Sequence, residues 1–488
     1  MIDQRPILHM NPERGWLNDP NGPFQWRGRH HVFHQFDPES LWFGHMKWGH
    51  FSSDDLVRWE QHPAALSPSQ DADRDGVWSG CVVDDGGTAT AIYTGVVKRA
   101  DGKLLQSVCL ATSTDPNLIE WTKDPGNPMA IEPPDFEVDA FRDPYVWKEA
   151  NGWAMLLGTG LPDGNGGVLL YRSSDLRDWS FQGVLISGAD LPAGAPWTGS
   201  VWECPNLVVL ESGEALLLVS VHDSLTLSLH YTVAIIGHLN SGRLDPMSAQ
   251  RLDHGHDCYA VAVEKTADGR ILGYGWAFEA VSAEDREKQK WAGCMTVPRE
   301  LGVRDGRLTV APARELGDVP AVVNQLEETV VTPSQPVDLL VPRAARIDAH
   351  FQLDHTSALR VAIRSSPQSG EQLTFEYSGS RGSIVVDRGQ SSSLPGIRGG
   401  ISTADYLLPA DGRLDLTVII DHTIVEIFVG GRVAFSERIY PQALDADHLR
   451  IESLTETFGE KPASFCLEHL TVSAFAPSRR AVTNPAKT

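Results

Sequence analysis

Three acidic residues lie in short motifs that are typical of turns at the ends of strands. Asp19 lies in GWLNDPNG, Asp143 in FRDP and Glu203 in WECP. Asn, Asp, Pro and Gly favour turns, so we expect the first motif to present Asp19 at a strand end rather than in a core. Carboxyl groups in different environments can serve as nucleophile, acid and stabilising group in the cleavage of a glycosidic bond. The motifs predict that chemistry if the fold brings the three side chains together.

The sequence neighbours of these residues predict different protonation states. Arg142 precedes Asp143, and a guanidinium beside a carboxylate should keep it ionised and offer hydrogen bonds to hydroxyl groups. An apolar neighbourhood that includes Trp202, together with a facing Asp19 carboxylate, should raise the pKa of Glu203. Three carboxyls that met in a funnel would suit glycosidic cleavage, as one ionised nucleophile, one acid kept protonated by its environment and one further carboxylate.

The elements that position these motifs are short β-rich runs separated by Gly-, Asp-, Asn- and Pro-containing turns. A weak internal repeat, SSDDLVRW, STDPNLIEW and SSDLRDW, ends at Trp59, Trp121 and Trp179, about 60 residues apart, which is the size of one four-stranded blade. The first 310 residues or so would hold about five such blades. The sequence predicts an all-β fold with a five-bladed β-propeller, whose blades converge on a central funnel.

The later part of the chain predicts a second all-β domain. Alternating strands follow residue 346, and IVEIFVGGRVAF indicates a hairpin that turns at Gly430 and Gly431. We predict a C-terminal β-sandwich. The predicted boundaries are 1–315 for the propeller, 316–339 for a linker with one short helix in its middle, 340–480 for the sandwich and 481–488 for a polar tail.

The three motifs resemble the signature motifs of glycoside hydrolase family 32, which contains invertases, levanases, inulinases and fructan fructosyltransferases. Similarity continues through GVWSG (76–80), DHGHDCYA (253–260) and DHTIVEIF (421–428), and it spans roughly residues 9–440. The resemblance implies a five-bladed propeller followed by a β-sandwich. It also implies a retaining enzyme that cleaves β-fructofuranosidic bonds of sucrose or of β-fructans such as levan and inulin.

The resemblance further implies a role for each site residue. Asp19 would attack the anomeric carbon of a fructosyl unit, Glu203 would act first as acid and then as base, and Asp143 would bind fructose hydroxyls and stabilise the transition state. The residues it places in the fructose pocket are Asn18, Gln35, Trp48, Trp78, Ser79, Arg142, Cys204 and Trp276.

Some positions depart from the family's pattern. Leu17 stands where the family usually has Met, Trp78 where invertases often have Phe, and Cys81 where they have a second Ser. The aromatic residue expected at the pocket rim is Phe43, with Trp42 shifted by one position. These changes affect the rim of the pocket, so the identity of the sugar bound beyond the first fructose stays open.

Three alternatives share some or all of these features. A fructosyltransferase, such as a levan fructotransferase that forms difructose anhydride, would use the same three carboxyls. Inverting propeller enzymes that act on arabinan or xylan lack a WLNDPNG motif. A carbohydrate-binding protein without catalysis would not need all three carboxyls. Product analysis on sucrose, inulin and levan distinguishes these alternatives.

Composition limits the partners. The 488 residues contain 41 Lys and Arg against 64 Asp and Glu, a formal net charge of −23, which disfavours nucleic acid and anionic membrane surfaces as partners. The six cysteines form no CxxC pair, so neither a zinc ribbon nor a dense disulfide framework is expected. We expect no metal and no cofactor, and a partner that is sucrose, a fructo-oligosaccharide or a fructan.

Localisation and assembly stay open. The sequence has no run of 18 apolar residues and no basic-then-apolar leader at its N-terminus. A cytoplasmic protein and a secreted one whose signal peptide is absent from this chain are both compatible with that. Within the resembled family the sandwich sometimes contributes to oligomer contacts, which leaves a homo-oligomer open.

Overall fold

Five antiparallel sheets of four main strands each form the N-terminal domain in the computed structural model, which describes residues 4–69, 71–133, 135–318, 321–454 and 464–476. Blade I contains β1 (Gly15–Trp26), β2 (Arg29–Asp37), β3 (Lys47–Ser53) and β4 (Glu60–Leu66). Blade II contains β5 (Gly76–Asp85), β6 (Thr88–Lys98), β7 (Leu104–Ser113) and β8 (Thr122–Lys123). Blade III contains β9 (Arg142–Glu149), β10 (Gly152–Gly160), β11 (Gly166–Ser173) and β12 (Trp179–Ser187).

The remaining blades follow the same plan. Blade IV contains β13 (Val201–Val209), β14 (Ala215–Asp223), β15 (Ser228–Asn240) and β16 (Arg243–Arg251), and a 3₁₀ turn (Gly188–Asp190) precedes it. Blade V contains β17 (Tyr259–Lys265), β18 (Ile271–Ala277), β21 (Arg299–Arg304) and β22 (Arg307–Pro312). Helix α1 (Ala283–Gln289) and the short strands β19 (Trp291–Ala292) and β20 (Cys294–Met295) lie between β18 and β21.

The five sheets close into a ring. The inner strands β1, β5, β9, β13 and β17 contact one another in that order, and β17 contacts β1. Strand β19 pairs in parallel with the start of β1, which ties the last blade to the first. Middle strands such as β10 and β14 are buried on both faces between blades, which explains their continuous apolar runs. The predicted five-bladed propeller is confirmed.

The internal repeat corresponds to one recurring turn. Each copy connects the third and fourth strands of blades I to III, and its Asp side chain accepts hydrogen bonds from backbone N–H groups that follow it. One leucine per turn has a positive φ, and these are Leu56, Leu118 and Leu176. The residues that the three copies of the repeat share are therefore those that the backbone geometry of this turn requires.

Two packed sheets form the C-terminal domain, and the predicted β-sandwich is confirmed. One sheet contains β23 (Ala321–Leu326), β24 (Thr329–Val331), β26 (Ala344–Gln352), β31 (Arg413–Asp421), β32 (Ile424–Val429), β33 (Val433–Arg438) and β35 (Phe465–Ala474). The other contains β25 (Val337–Leu340), β27 (Ala358–Ser365), β28 (Leu373–Ser378), β29 (Ser383–Asp387), β30 (Ile401–Asp405) and β34 (His448–Ser453). Strands β32 and β33 form the predicted hairpin, in which Gly430 and Gly431 both have positive φ.

The segment 316–339 differs from the predicted linker. Helix α2 (Glu315–Asp318) lies at its start rather than in its middle, and β23 and β24 pair with β35 inside the sandwich. Val331 is fully buried, so these residues complete the sheet instead of spanning a gap. The predicted tail, 481–488, lies outside the described residues. Among the residues that the structure describes, no helix is long and apolar enough to span a membrane.

A buried polar network joins the two domains. His9 in the N-terminal segment lies between Asp421, at 2.9 Å, and Glu426, at 3.0 Å, both in the sandwich. The Asp421 carboxylate also accepts hydrogen bonds from the backbone N–H groups of residues 7–9. Glu426 accepts from Arg299 of blade V, which also donates to Asp253. The network holds the segment that leads into β1 against the sandwich.

Candidate active site

All five inner strands are interrupted at the same level of the propeller. Their pairing registers shift between Asn18 and Pro20, Trp78 and Gly80, Arg142 and Tyr145, Glu203 and Asn206, and Tyr259 and Ala262. Such β-bulges redirect side chains and are common beside active sites. Asp143, Cys204 and Ala260 have positive φ within these bulges. The three acidic motifs therefore form bulges that direct carboxyls toward one funnel.

Asp19 lies on β1 against groups from two other blades. Its Oδ2 accepts from the Ser79 hydroxyl at 3.3 Å and faces the Cys204 thiol at 3.9 Å. Burial, followed by repulsion from the Glu203 and Asp143 carboxylates, raises the pKa of Asp19 to about 7. Asp19 therefore holds a proton at mildly acidic pH.

Asp143 is held by hydrogen bonds from the blades on both sides of it. Its N–H donates to Thr94 Oγ1 at 2.8 Å, and its Oδ2 accepts from the backbone N–H and the thiol of Cys204, at 3.0 and 3.6 Å. Burial raises the pKa of Asp143 to about 6, against the attraction of Arg142 and with added repulsion from Glu203. The Cys204 thiol thus faces both Asp19 and Asp143.

Glu203 has the strongest set of donors. Arg142 donates to its Oε1 from Nη2 at 2.7 Å and from Nε at 3.1 Å, and the Tyr259 hydroxyl donates to its Oε2 at 2.5 Å. His222 Nδ1 lies 3.8 Å from Oε1. Burial alone would raise the pKa of Glu203, but Arg142, His222 and Tyr259 outweigh burial and lower it.

Two predictions about protonation are wrong for this structure. The pKa of Glu203 is lowered rather than raised, because Arg142 reaches across from blade III and because the Trp202 indole turns into the core, where its Nε1 donates to Thr198 O. Arg142 was predicted to keep its neighbour Asp143 ionised. Its guanidinium donates to Glu203 instead, and the pKa of Asp143 is raised.

The predicted sugar-binding residues lie around these carboxyls at the same end of the propeller. The Asn18 side chain accepts a hydrogen bond from Trp16 Nε1 at 2.7 Å. In the sheet of blade I, Asn18 on β1 lies opposite Gln35 on β2, and Gln35 lies opposite Trp48 on β3. The Trp48 indole is fully buried and donates to Trp78 O at 2.9 Å, so it supports the pocket wall from behind in this structure. Their contact with a sugar stays a prediction.

Several buried polar atoms at the site have no hydrogen-bond partner among the described residues. They are Asp19 Oδ1, Gln35 Oε1 and Trp276 Nε1. A buried polar atom without a partner costs free energy, which a polar ligand would recover. Three such atoms in one funnel fit a ligand rich in hydroxyl groups.

The sequence did not single out four residues that shape the site. Tyr259 and His222 contact Glu203, Thr94 holds the Asp143 backbone, and Gln106 Oε1 accepts from Arg142 at 3.4 Å. Tyr259 lies in the DHGHDCYA motif, at the start of the inner strand of blade V, which is a signal that could have found it. The other three lie in ordinary strand sequences and carry no such signal.

Comparisons with known proteins agree with this architecture. Residues 9–312 match the N-terminal domain model of glycosyl hydrolases family 32, and residues 320–472 match the C-terminal model of the same family. A sucrose-6-phosphate hydrolase of Zymomonas mobilis is 35% identical, over 91% of this chain and 88% of that protein. A raffinose invertase of Escherichia coli is 34% identical, over 90% of each protein.

A solved structure covers almost the whole chain. It is a mutant of the Bombyx mori family 32 β-fructofuranosidase in complex with sucrose, with a TM-score of 0.77 and 28% identity, over 97% of this chain and 93% of that one. The two family models together span most of the residues, and the curated relatives match over nine tenths of the chain. The chain therefore belongs to glycosyl hydrolase family 32, and it is a glycosidase of the β-fructofuranosidase type.

Proposed function

We propose that Asp19, Asp143 and Glu203 cleave β-fructofuranosidic bonds by a retaining double displacement. The observation that carries the proposal is their convergence from three blades: the Cys204 thiol faces both aspartates, and Arg142, beside Asp143, holds Glu203.

The two steps assign a different task to each group. An Asp19 oxygen attacks the anomeric carbon of the fructosyl unit, the glycosidic C–O bond breaks, and the departing oxygen takes the proton of Glu203. The Glu203 carboxylate then takes a proton from water, whose oxygen displaces Asp19 from the anomeric carbon. Asp143 binds fructose hydroxyls and stabilises positive charge at the sugar ring in both transition states.

The protonation states call for one proton to move before the first step. In this structure Asp19 holds a proton more tightly than Glu203, whereas attack requires an ionised Asp19 and a protonated Glu203. Moving that proton from Asp19 to Glu203 leaves the total number of bound protons unchanged. A substrate hydroxyl that takes over the hydrogen bonds of Arg142 would favour this transfer, because it would remove the group that keeps Glu203 ionised.

The substrate class follows from the family and its members. The relatives named above are hydrolases of sucrose phosphate and raffinose by name, and a neighbouring structure contains sucrose. We assign sucrose and related fructosides as substrates of this chain. The fructosyltransferase alternative is not favoured by these relatives.

Replacement of the proposed nucleophile tests the assignment. Asp19→Asn should lose about 10⁴-fold or more in turnover of sucrose, since it removes the covalent catalyst, while the variant still binds fructosides. Asp84→Asn is a matched control, because Asp84 is exposed and lies near the end of β5, five residues after Ser79. Initial rates of glucose release give the comparison. An Asp19→Asn variant with a tenth of the unmodified activity would exclude Asp19 as nucleophile.

A further inference from the structure

The segment that precedes β17 runs along strand β33 of the sandwich. The His254 N–H donates to Ala434 O at 2.8 Å, and the Asp257 N–H donates to Ser436 O at 3.1 Å. Gly255 lies so close to this strand that a Cβ atom there would come within 2.3 Å of Ser436 O. The sandwich therefore fixes the backbone that leads into the inner strand of blade V.

The Asp257 carboxylate belongs to the propeller but is bound by the sandwich. It is fully buried. Its Oδ2 accepts from Arg388 Nη1 and, at 2.8 Å, from the Arg438 N–H, and its Oδ1 accepts from Arg398 Nη2 at 2.8 Å. All three of these donors lie in the sandwich, and the bonds from the two guanidinium groups are charge-assisted and therefore strong. A carboxyl of one domain thus takes its position from the other.

Tyr259 lies two residues after Asp257, at the start of β17. Two residues of extended chain span about 7 Å at most, so a shift of Asp257 is passed on to Tyr259. On the other side of Tyr259, Ala260 has a φ of 53°, a conformation that a residue with a Cβ keeps only when its surroundings enforce it. Tyr259 is thus held between a fixed carboxylate and a fixed bulge, and its hydroxyl donates to Glu203 Oε2 at 2.5 Å.

The sandwich also supports the Tyr259 ring from the side. This ring stacks on Phe278 with a centroid separation of 5.6 Å, and the Arg398 guanidinium lies 5.9 Å from the Phe278 ring. The same arginine binds Asp257. Arg398 therefore connects the sandwich both to the segment before Tyr259 and to the ring against which Tyr259 packs.

We infer that Asp257 is a positioning residue through which the sandwich orients the catalytic acid, because it places the Tyr259 hydroxyl on Glu203. The inference rests on the proposed function, in which Glu203 is the acid. Arg142 binds Oε1 of Glu203 at 2.7 Å and Tyr259 binds Oε2, so the two donors together fix the plane of the carboxyl. Proton transfer to the leaving oxygen depends on that orientation, so a displaced Tyr259 slows the cleavage of bonds whose leaving group needs a proton.

The test compares sucrose turnover with single-turnover release of fluoride from β-fructofuranosyl fluoride, whose leaving group needs no proton. Asp257→Asn should lower the ratio of the sucrose rate to the fluoride rate about tenfold or more, since a misplaced acid transfers its proton poorly. A weaker bond from Tyr259 would also raise the pKa of Glu203, which favours its protonated form, so a fall in the ratio reports orientation and not acidity.

The controls separate this effect from general damage to the fold. In Asp257→Asn, Arg388 keeps Glu437 as an anionic partner at 3.3 Å, so its buried charge stays paired. Asp421→Asn is the matched control, because that carboxyl is equally buried at the same interface but binds His9. It should leave the ratio unchanged even where it lowers stability.

A double-variant cycle identifies the route. Tyr259→Phe should lower the same ratio, and Asp257→Asn should lower it less than about twofold further in the Tyr259→Phe background, since both changes act through one hydroxyl. Where Asp257→Asn does not fold, Arg398→Gln decides: it removes a half-exposed donor and should lower the ratio about twofold. A ratio that is unchanged or raised, or two effects that multiply in the cycle, would overturn the inference. If Glu203→Gln itself lost both rates equally, the proposed function would fail instead.

Discussion

At the scale of single residues, the site is a cluster of three carboxyls that share protons under the influence of one guanidinium. Each carboxyl comes from a different blade, so the separations along the chain are large, 61 residues between Arg142 and Glu203 for example. The pKa of each group then depends on partners that the local sequence does not contain. The protonation state that is active is therefore a property of the three coupled carboxyls together, and not of any one of them.

The dependence of activity on pH tests this description. Because the pKa of Asp19 is about 7 and that of Asp143 about 6, the cluster holds one proton between those values. We expect kcat/KM for sucrose to fall above about pH 7, as the last proton leaves, and below about pH 6, as Asp143 takes up a second one. Asp143→Asn should lower kcat about 10²-fold or more, and its residual activity should lack the limb near pH 6. If the pH profile of Asp143→Asn kept its acidic limb near pH 6, the assignment of that limb to Asp143 would be contradicted.

The sequence predicted the identity of the three carboxyls but not their protonation. The WLNDPNG, FRDP and ECP motifs identify the residues because the bulges that redirect them are formed locally, from the motif residues themselves. The lowered pKa of Glu203 comes from Arg142 and Tyr259, which are brought to it only when blades III, IV and V close. Sequence neighbours such as Trp202 were misleading, since adjacent residues on a strand point to opposite sides.

At the scale of elements, blade I contains a buried cluster of histidines on β2, β3 and β4. His31 Nδ1 and His50 Nε2 are 2.9 Å apart, a hydrogen bond that needs an uncharged acceptor, and His50 contacts His62 with ring centroids 4.6 Å apart. Burial lowers the pKa of His31 to about 3 and that of His34 to about 4. These rings are therefore neutral in the folded blade.

Acidification should destabilise the fold through this cluster. Unfolded histidines take up protons near pH 6.5 while the folded ones stay neutral to about pH 4, so the stability that the cluster provides is complete above pH 6.5 and is lost as the pH falls toward 4. Urea unfolding at pH 7 and pH 5 measures the loss. His34→Gln should reduce the difference between the two pH values, and the exposed His238→Gln should not. If the free energy of unfolding differed between pH 7 and pH 5 by the same amount in both variants, the histidine cluster would be excluded as the cause.

At the scale of the whole molecule, the sandwich holds the N-terminal segment from which β1 emerges. The sequence predicted two all-β domains but treated 316–339 as a linker, because short, exposed edge strands such as β23 have weak patterns of their own. The DHTIVEIF motif supplies Asp421 and Glu426 to the interface, where they bind His9 and Arg299. The motif is thus explained by domain contact rather than by sugar binding.

Removal of His9 tests the interface. His9→Ala leaves two buried carboxylates without one of their partners and should lower the free energy of unfolding by about 3–5 kcal/mol. The pKa of His9 is raised to about 8 in the fold, so its contribution is complete below pH 6.5 and is lost as the pH rises through about 8. Thermal unfolding should give a lower Tm for His9→Ala than for the unmodified protein at pH 6, and a smaller difference in Tm at pH 9. A difference in Tm that grows from pH 6 to pH 9 would contradict the role of protonated His9 in this network.

In the proposed mechanism Glu203 donates the proton to the leaving group while Asp19 forms the covalent bond. Single-turnover release of fluoride from β-fructofuranosyl fluoride by Glu203→Gln tests it most directly, because fluoride leaves without a proton. We expect the variant to lose about 10³-fold in sucrose turnover but to release one equivalent of fluoride at close to the unmodified rate. Equal losses on both substrates would contradict the acid role of Glu203, since Glu203 would then bind the sugar without donating a proton.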